Sequence, residues 1–591
     1  MHLSKMELKN FRGASNLTVV FHSGVNILIG ENRTCKTAIL DALRLCLGFS
    51  LERREIFIQL EDFYTAPDGS QSEEIAFDLV FEGVTPEQQG LFVELLAIDQ
   101  NQKAVVELHV RYTRNADRIR RRIWGGAHEG QDIPSIVLEL LYFTYLGALR
   151  DATRDLAPSR SNRLSQLFLK LVSDPQKRDA LANEVNSQVA GVKSWSELID
   201  SGVAKIQNHL SQIVLSGDDS RVSVGFVDST FREIVEGLRM RMPRGNQASH
   251  GSGEGAGRPA AIPRKPEAPP AHFSIGQNSL GYNNLLYAAT VLGDLAERFK
   301  TSTHSYAALL IEEPEAHLHP QWQNTLFRYL QGMKDGGIQV FITSHSPTIT
   351  AKSDFDSLIV LNRDGEAVTA IPMRCLALTD PDKRHLQRFL DVTKSQLFFA
   401  RRVVLVEGIS EALLLPLFAQ KVGQKYDFDS NAVEIVNIGG VAFEPFALLF
   451  NSKNRNARLP VRCALITDDD RNDQGQPSTR ATNASALRSE NLEVFLAEVT
   501  FEHELFTKNE DLMRTVYGEL HPQTVLEFEG DSASRAHQFV EKLKSNKDKA
   551  VFAQKMAAKL QDEETFKAFV VPAYIQHAIR WVITGNASKA D

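Results

Sequence analysis

Residues 403–416, VVLVEGISEALLLP, and residues 464–470, ALITDDD, decide the fold of the second half of this chain. Each stretch begins with an apolar run that predicts a buried strand. Each run ends in carboxylates: Glu407 after the first, and an aspartate run that begins at Asp468 after the second. A glycine permits a sharp turn after Glu407, and Glu411 follows at the start of a predicted helix. Because Mg²⁺ prefers oxygen ligands in tight octahedral geometry, we expect a metal site where the tips of these strands meet.

The acidic side chains of the two stretches differ in the direction in which they project. Along an extended segment Asp468 and Asp470 point to the same side and Asp469 points away, so we predict that the first two ligate metal and that Asp469 contributes less. Glu407 and Glu411 lie four residues apart, and they could share one ion if the helix starts early enough. Two Mg²⁺ or Mn²⁺ ions about 4 Å apart could clamp a phosphodiester, one activating water and one steadying the leaving oxygen.

Length and composition limit the class of protein. The 591 residues correspond to about three to four domains, and four cysteines without CxxC spacing predict a reduced, cytoplasmic protein without structural zinc. No secretory leader is visible and no run approaches about 18 apolar residues, so we expect no membrane span. With a net charge of −8, a nucleic-acid partner needs a local basic patch. The best patch is RYTRNADRIRRRIW, residues 111–124, which a solvated charged strand explains equally well.

The segment GENRTCKT, residues 30–37, follows an apolar strand and precedes a helical pattern. That context is the one that a P-loop requires, because its backbone amides and the helix N-terminus cradle phosphates. Gly30 and Asn32 would line the loop, Lys36 would reach the β- and γ-phosphates of ATP, and Thr37 would hold Mg²⁺. Cys35 stands where the pattern has a second glycine, and its side chain could crowd the loop or restrict its backbone.

A second pair of strand ends carries the residue types of ATP hydrolysis. LLIEEP, residues 309–314, suits a Walker B segment, in which Glu312 would support Mg²⁺ and Glu313 would position water. FITSHSP, residues 341–347, ends a further strand in His345, which could sense a γ-phosphate. The alternatives are an edge strand with an acidic turn and a structural histidine.

Together these motifs resemble the ABC/SMC-type ATPase head, especially its EEPEAHLHP branch. In that family two heads sandwich ATP, and each head supplies a signature loop to the nucleotide of the other. The stretch FSIGQNSLGYNN, residues 273–284, is a loose match to that loop, and Ser279 and Gly281 would be its contacts. A helix N-cap at Ser279 is the competing interpretation.

The VEG and DDD motifs resemble a Toprim domain, and Glu411 is shared with the OLD (overcoming lysogenization defect) nucleases, which join an ABC-type head to a C-terminal Toprim domain. YLGALRDATRDLAP (145–158) and IVNIGGVAFEPF (435–446) are similar to further stretches of that family. Lys549 sits where the family has the basic residue of a KGxFA motif, with Ala550 in place of the glycine. Lys549 could stabilise developing phosphate charge, and Glu502, in TFEHEL, is a further candidate ligand whose alternative is a surface carboxylate.

These patterns predict an α/β protein: an ABC-type ATPase head with an inserted helical region, followed by a Toprim domain with a Rossmann-like parallel sheet. The expected divisions are the first part of the head with the P-loop (1–157), a helical insertion (158–240), a flexible Gly/Pro-rich loop (241–271), the second part of the head plus a connector (272–400), and the Toprim domain with helical C-terminal elements (401–591). The resemblance implies that the insertion mediates dimerisation, and the alternative is a helical cap on the head's own sheet. We expect a homodimer or a higher homo-oligomer.

The function implied is that of an ATP-hydrolysing, metal-dependent DNA endonuclease in phage defence or phage exclusion. One alternative is an SMC-like DNA-clamping ATPase with an inert Toprim module. Another is a constitutive nuclease, in which Cys35 and Glu312 leave the ATP site inert. A topoisomerase is disfavoured because nothing marks a nucleophilic tyrosine, and a primase because the head has no place in it. The sequence leaves open a helicase-like partner.

Overall fold

The computed structural model describes most of the chain, namely residues 1–50, 56–115, 118–130, 132–148, 156, 162–172, 174–190, 192–213, 227–243, 272–274, 277, 279–301, 306–316, 318–332, 337–391, 393–440, 443–471, 476–543 and 546–586. Two compact units result. The first comprises Met1–Tyr145, Tyr306–Glu315 and Pro320–Asp591, and the second comprises Leu146–Ser305 and Ala316–His319.

The strands of the described residues are, in chain order, β1 (His2–Phe11), β2 (Ala14–Val20), β3 (Val25–Gly30), β4 (Glu74–Glu82), β5 (Leu96–Ile98), β6 (Ala104–Asn115), β7 (Arg118–Gly125), β8 (Leu141–Leu146), β9 (Arg241–Pro243), β10 (His272–Ser274), β11 (Tyr306–Glu312), β12 (Gln339–Ser344), β13 (Leu358–Asp364), β14 (Ala367–Pro372), β15 (Arg402–Val406), β16 (Val433–Asn437), β17 (Arg462–Asp468) and β18 (Leu492–Ala497).

The α-helices of the same residues are α1 (Lys36–Leu47), α2 (Pro86–Leu91), α3 (Ser135–Glu139), α4 (Arg163–Leu171), α5 (Pro175–Ala190), α6 (Lys193–Ile213), α7 (Phe231–Glu236), α8 (Leu280–Thr301), α9 (Pro320–Gly332), α10 (Pro347–Lys352), α11 (Asp380–Phe389), α12 (Ile409–Val422), α13 (Glu444–Ala447), α14 (Thr479–Ala486), α15 (Phe501–Lys508), α16 (Glu510–Leu520), α17 (Ser532–Lys542), α18 (Asn546–Lys559), α19 (Glu563–Ala568) and α20 (Ala573–Thr584).

Two sheets form the N-terminal part of the first unit. One is antiparallel, in the order β2-β1-β4-β6-β5, with β7 paired to β6, and the other has the order β14-β13-β3-β12-β11-β8. Strand β3 is buried at every position because it lies between two parallel neighbours with both faces covered. The sheets and α1 share one apolar core, in which Phe11 meets Phe77 edge-on with ring centroids 5.1 Å apart. This packing fixes the ends of β3, β11 and β12, where the P-loop and Walker B residues lie.

The C-terminal sheet is parallel throughout, in the order β16-β15-β17-β18. Helices pack on it through a core that includes Phe418, Phe506, Phe539 and Ile579. Because the strands are parallel, their carboxyl ends share one edge, and this edge carries the acidic residues that follow β15 and end β17. The predicted α/β class with a parallel C-terminal sheet is therefore confirmed.

The second unit is mainly helical. Helix α4 contacts α8 and α7, Lys170 forms an ion pair with Asp294, and β9 pairs with β10 in an antiparallel ribbon. The described helices α4 to α7 fall inside the predicted insertion, whose role in dimerisation stays a prediction. Residues 244–271, which include most of the predicted flexible loop, and most of the stretch 145–158 lie outside the described residues. Across the described helices, none has both the length and the apolarity needed to cross a bilayer.

Candidate functional site

The P-loop is built around the ammonium group of Lys36. Strand β3 ends at Gly30, where an added Cβ would lie 2.2 Å from the carbonyl oxygen of Leu361, so only glycine fits. The Lys36 Nζ donates to the carbonyl oxygens of Gly30 (2.7 Å) and Glu31 (2.6 Å) and to the hydroxyl of Thr34 (3.3 Å). The chain therefore wraps a cation that lies beside the N-terminus of a 12-residue helix, an arrangement that favours an anion.

Burial makes the charged form of Lys36 less favourable than it is in water. Desolvation lowers the pKa of Lys36 to about 8, although Glu313 and Glu31 act in the opposite direction. A triphosphate at the loop would restore the favourable charge balance that burial removes. The residues present therefore fit ATP in charge and in loop geometry.

Cys35 occupies a position that favours glycine. Its φ is 65° and its ψ is 18°, a left-handed conformation at the N-cap of α1, and Arg33 also has a left-handed φ of 68°. The Cys35 Sγ packs over Gly13, where an added Cβ would lie 3.5 Å away. At position 35 the loop thus has the backbone conformation that glycine favours, although the residue there is a cysteine with a side chain.

Glu312 links the P-loop to the neighbouring strand. The Thr37 hydroxyl donates to Glu312 Oε1 at 2.7 Å, and the Tyr145 hydroxyl donates to Glu312 Oε2 at 2.6 Å. Burial and this carboxylate raise the pKa of Tyr145, so its hydroxyl stays a donor. The pairing of Thr37 with Glu312 offers adjacent oxygen ligands for Mg²⁺. Tyr145 was not singled out from the sequence, and its only signal was its place at the start of the quoted stretch 145–158.

Glu313 and His345 face each other at the ends of their strands. The Nε2 of His345 lies 3.6 Å from Glu313 Oε1, and Glu313 has a positive φ of 43°. Burial and Lys36 lower the pKa of His345, which therefore tends to be neutral.

Behind them, the partly buried Glu315 accepts hydrogen bonds from the Ser344 hydroxyl and from the His345 amide, both at 2.8 Å. Burial raises the pKa of Glu315. The sequence reasoning missed this third acid of EEPEA, which holds the histidine segment in place.

Ser279 and Gly281 belong to the second unit, which is described by itself. The Ser279 hydroxyl accepts from the Tyr282 amide at 3.4 Å at the start of α8, which is N-cap geometry. The assignment of Ser279 and Gly281 as signature contacts stays a prediction.

The acidic edge of the C-terminal sheet contains two groups of side chains. In the first group, Glu407 Oε1 accepts from the Asp468 amide at 3.1 Å and contacts the Thr467 hydroxyl. Arg480 forms ion pairs with Glu407 and, at 3.1 Å, with Asp470 Oδ2. Arg480 therefore neutralises two of the predicted ligands, a role with no local sequence signal.

The second group brings three carboxylates to one lysine. Asp468 Oδ1 accepts from the Phe501 amide at 2.9 Å, and Lys549 Nζ donates to Glu502 Oε2 at 2.9 Å. Burial and the charge of Glu502 raise the pKa of Glu411 to about 7, and burial, Glu411 and Glu502 raise the pKa of Asp468 well above its usual range. Burial opposes ionisation of Lys549, but the attraction of Glu502 outweighs it and raises its pKa. The negative charges outnumber the positive charge, so a cation would be stabilised here.

Asp468 joins the two groups, because its amide donates to Glu407 and the charges of Glu411, Glu502 and Asp470 all add to burial in raising its pKa. The sharing of one ion by Glu407 and Glu411 stays a prediction. Glu411 lies with Asp468 and Glu502, whereas Glu407 lies with Asp470. Asp469 is buried, and its Oδ2 accepts from Arg471 Nε at 2.6 Å. Its charge adds to burial in raising the pKa of Asp470.

The donor chemistry of this edge fits a hard divalent cation, because carboxylates with an excess of negative charge lie near one another. The ion pairs with Arg480 and Lys549 occupy some of those oxygens. Within the described ranges, no three His, Cys, Asp or Glu side chains are arranged as a ready coordination shell. Asp468, Glu411 and Glu502 are the residues that would hold a metal here, with Glu407 and Asp470 beside them.

The P-loop also contacts the start of the C-terminal sheet. Arg401 Nε lies 3.0 Å from both carboxylate oxygens of Glu31, and the Arg401 amide donates to the Ala432 carbonyl at 3.2 Å. A cavity of about 780 Å³ opens beside this pair, and its lining includes Asn32, His345 and Arg401.

Comparisons with known proteins agree with both halves of this arrangement. The family described as AAA ATPase domain matches residues 1–117 and 271–350, and the family described as overcoming lysogenization defect protein-like, TOPRIM domain, matches residues 398–470.

Three relatives illustrate the similarity. An "OLD nuclease" of Thermus scotoductus is 29% identical over 168 residues, which cover 27% of this chain and 30% of the relative. An "Endonuclease GajA" of Bacillus cereus (strain HuB5-5) is 24% identical over 222 residues, 33% of this chain and 31% of the relative. The "Uncharacterized protein YbjD" of Escherichia coli is 21% identical over 75% of this chain and 76% of its own length.

The chain thus spans about a third of the length of the two named nucleases that it matches. The domain order is nevertheless distinctive, since an ATPase domain precedes a TOPRIM domain of the OLD type. In this order of domains the chain is similar to the OLD nucleases.

Proposed function

We propose that this protein is an ATP-hydrolysing, divalent-metal-dependent DNA endonuclease that acts in phage defence or phage exclusion. The single observation that carries the proposal is the group of Asp468, Glu411 and Glu502 around Lys549, at the carboxyl edge of a parallel sheet. Carboxylates that raise one another's pKa in a buried site indicate a function that needs them together. The names of the related OLD nuclease and Endonuclease GajA support the same activity.

Each residue of the acidic edge has a role in this proposal. Mg²⁺ or Mn²⁺, when bound, supplies a nucleophilic water and neutralises the scissile phosphate. Asp468 is held in place by the Phe501 amide, which occupies its Oδ1 and leaves Oδ2 to contact the metal. Lys549 is oriented by Glu502 and stabilises the negative charge that develops on the phosphate oxygens.

The nucleotide site serves hydrolysis of ATP in the same proposal. Lys36 and the loop from Gly30 to Asn32 hold the phosphates, and Thr37 with Glu312 holds the metal. Glu313 orients the attacking water, and His345 lies close enough to report whether a γ-phosphate is bound.

Dimerisation of two chains would complete this site, with Ser279 and Gly281 of one chain serving the nucleotide of the other. A homodimer or a higher homo-oligomer is therefore part of the proposal, and a helicase-like partner remains open.

An arginine-bearing edge strand is the surface that we propose for DNA. Strand β7 pairs on one side with β6, and Arg118, Arg120 and Arg122 alternate with half-buried residues and are exposed. Arg122 is paired with Glu129 at 2.7 Å. Because the net charge of the chain is −8, such a local row of cations is what phosphate binding requires.

Nicking of supercoiled plasmid tests the proposal. The wild-type protein with Mn²⁺ or Mg²⁺ should nick DNA, and Glu407→Ala and Asp468→Ala should each abolish nicking. Asp469→Asn is the matched control, because this neighbouring aspartate is turned towards Arg471, and it should retain activity. Nicking that survives both alanine substitutions would falsify the assignment.

A second candidate function is a DNA-clamping ATPase with an inert Toprim module. The observation that favours it is the pairing of Arg480 and Lys549 with the predicted ligands, which leaves fewer oxygens for metal. DNA-stimulated ATP turnover without cleavage under any metal condition would select this function over the nuclease.

A further inference from the structure

Tyr574 lies at the acidic edge of the C-terminal sheet, although it follows Asp468 by more than a hundred residues. Helix α20 runs antiparallel to β17: an added Cβ at Gly585, just after the helix, would lie 3.2 Å from Arg462 Nη1, and the same atom donates to the Trp581 carbonyl at 3.4 Å. The 12-residue helix is about 18 Å long, and the seven-residue strand is roughly 20 Å long. The first turn of α20, which contains Tyr574, is therefore level with Asp468 at the end of β17.

The hydroxyl of Tyr574 is buried without a hydrogen-bond partner. Its ring packs against the core of the C-terminal sheet, and within the part of the chain that the structure describes its oxygen contacts neither solvent nor a donor or acceptor. A buried hydroxyl without a partner costs stability, and phenylalanine would fill the same space without that cost. Packing of the core therefore does not explain why this position has a tyrosine and not a phenylalanine.

The surrounding charges indicate that the Tyr574 hydroxyl would act as the donor in a hydrogen bond. Burial, followed by the charges of Asp468, Glu411, Glu504 and Glu502, raises the pKa of Tyr574 well above its usual range. The phenol therefore stays protonated and is available as a donor. Carboxylates and the waters bound to a cation are the acceptors that this site would present.

We propose that Tyr574 is a positioning residue of the metal centre, whose hydroxyl donates a hydrogen bond to a carboxylate or a water in the ligand shell of the divalent cation. This inference rests on the proposed function for the existence of that cation. Ligating carboxylates are commonly held by such outer hydrogen bonds, and removing one typically costs 10–100-fold in metal affinity. The hydroxyl stays without a partner until the cation brings the acceptor into place, so it contributes to metal binding and not to the stability of the metal-free protein.

The test is the substitution Tyr574→Phe in the full chain, followed by two measurements. Thermal unfolding in EDTA should give a Tm equal to or above that of wild type, because an unsatisfied polar group is removed. Titration with Mn²⁺ alone, followed by electron paramagnetic resonance of free Mn²⁺, should give a dissociation constant raised by roughly 10-fold or more. Tyr517→Phe is the matched control, since Tyr517 is buried in the same core against Phe539, and it should leave the Mn²⁺ affinity unchanged.

The outcomes separate this inference from the proposed function. If wild type binds no Mn²⁺, or if Asp468→Ala leaves its affinity unchanged, the metal centre itself is wrong. If wild type binds Mn²⁺ through Asp468 and Tyr574→Phe binds it within about threefold of wild type, the role of Tyr574 alone is wrong. A fall in Tm in EDTA, or failure of the variant to fold, also overturns it, because the hydroxyl would then already be bonded in the metal-free protein.

Discussion

Substitutions at Cys35 measure how strongly nucleotide affinity depends on the left-handed backbone conformation of the P-loop at this position. At a φ of 65° a residue with a Cβ pays roughly 1–2 kcal/mol relative to a right-handed conformation, and glycine pays almost nothing. Valine would pay more than cysteine, because a β-branched side chain at positive φ is a genuine outlier. The series Gly, Ala, Cys, Val at position 35 therefore varies the strain while the rest of the loop stays constant.

The expected order of nucleotide affinity follows from this strain. If the loop leaves the left-handed conformation, the carbonyl cradle around Lys36 is lost together with the alignment of the amides that bind phosphate. A penalty of about 1–2 kcal/mol corresponds to a factor of 5–30. Cys35→Gly removes this penalty and should bind ATP up to about 5–30-fold more tightly, Cys35→Ala should match wild type, and Cys35→Val, which pays more than cysteine, should bind ATP more weakly than wild type.

Equilibrium titration of a fluorescent ATP analogue with Mg²⁺ measures this series on the full chain, with far-UV circular dichroism as the check on folding. Valine binding like wild type, or glycine binding more weakly, would refute the reasoning. The same titration bears on the alternative in which the cysteine leaves the ATP site inert. In that case cysteine and alanine would both bind poorly, and only glycine would restore affinity.

Three further predictions concern the other charged groups. Lys36→Ala should abolish an ATP hydrolysis that is measurable in wild type by phosphate release, and the absence of turnover in wild type would contradict this. Arg480→Ala frees the two carboxylates that Arg480 pairs with. The Mn²⁺ concentration needed for half-maximal nicking should therefore fall roughly three- to tenfold, in line with the small free energy of half-exposed ion pairs. An unchanged or higher Mn²⁺ requirement would count against this prediction. Replacing Arg118 and Arg120 together by alanine should weaken DNA binding and lower its salt dependence by about two phosphate contacts, whereas Arg455→Ala, an exposed arginine elsewhere, should change neither.

The elements at the two sites were predictable because their signals are local. The apolar runs that lead to Glu312, Glu407 and Asp468 are strands in the structure, and a helix follows the P-loop as the pattern predicts. Each of these features depends on a window of about ten residues. The division of the aspartate run was also a local inference from side-chain alternation, and it stays a prediction. The strand ends at Asp468 and Asp470 has a left-handed φ of 48°, so the alternation of an extended segment does not reach Asp470.

The contacts that the sequence did not predict join residues far apart in the chain. Tyr145 reaches Glu312 across 167 positions because β8 pairs with β11 at the edge of the sheet. Glu411 and Glu502 meet because α12 and α15 pack on the same core. Strand order and helix packing depend on the burial of entire faces of sheets and helices, so they cannot be predicted from a short stretch of sequence. Spacing alone therefore paired Glu407 with Glu411 and gave no sign of the charge of Glu502 near Glu411 or of the ion pair between Arg480 and Glu407.

One buried strand, β15, connects the nucleotide site to the acidic edge. The strength of the ion pair at its start limits how far ATP binding can influence cleavage through it. Arg401, which contacts Glu31 of the P-loop, precedes β15, and Glu407 follows it. The residues between them, Val403–Val406, are buried and paired on both sides with β16 and β17, so a displacement at Arg401 would be carried to the acidic edge with little loss.

The Arg401 side chain is 67% exposed and that of Glu31 is 33% exposed, and such a pair is worth about 0–1 kcal/mol. Because a ligand shifts an equilibrium only by its differential interaction with the two states, this contact can change cleavage by no more than roughly fivefold. Stronger control by ATP would have to act through the association of two chains around the nucleotide.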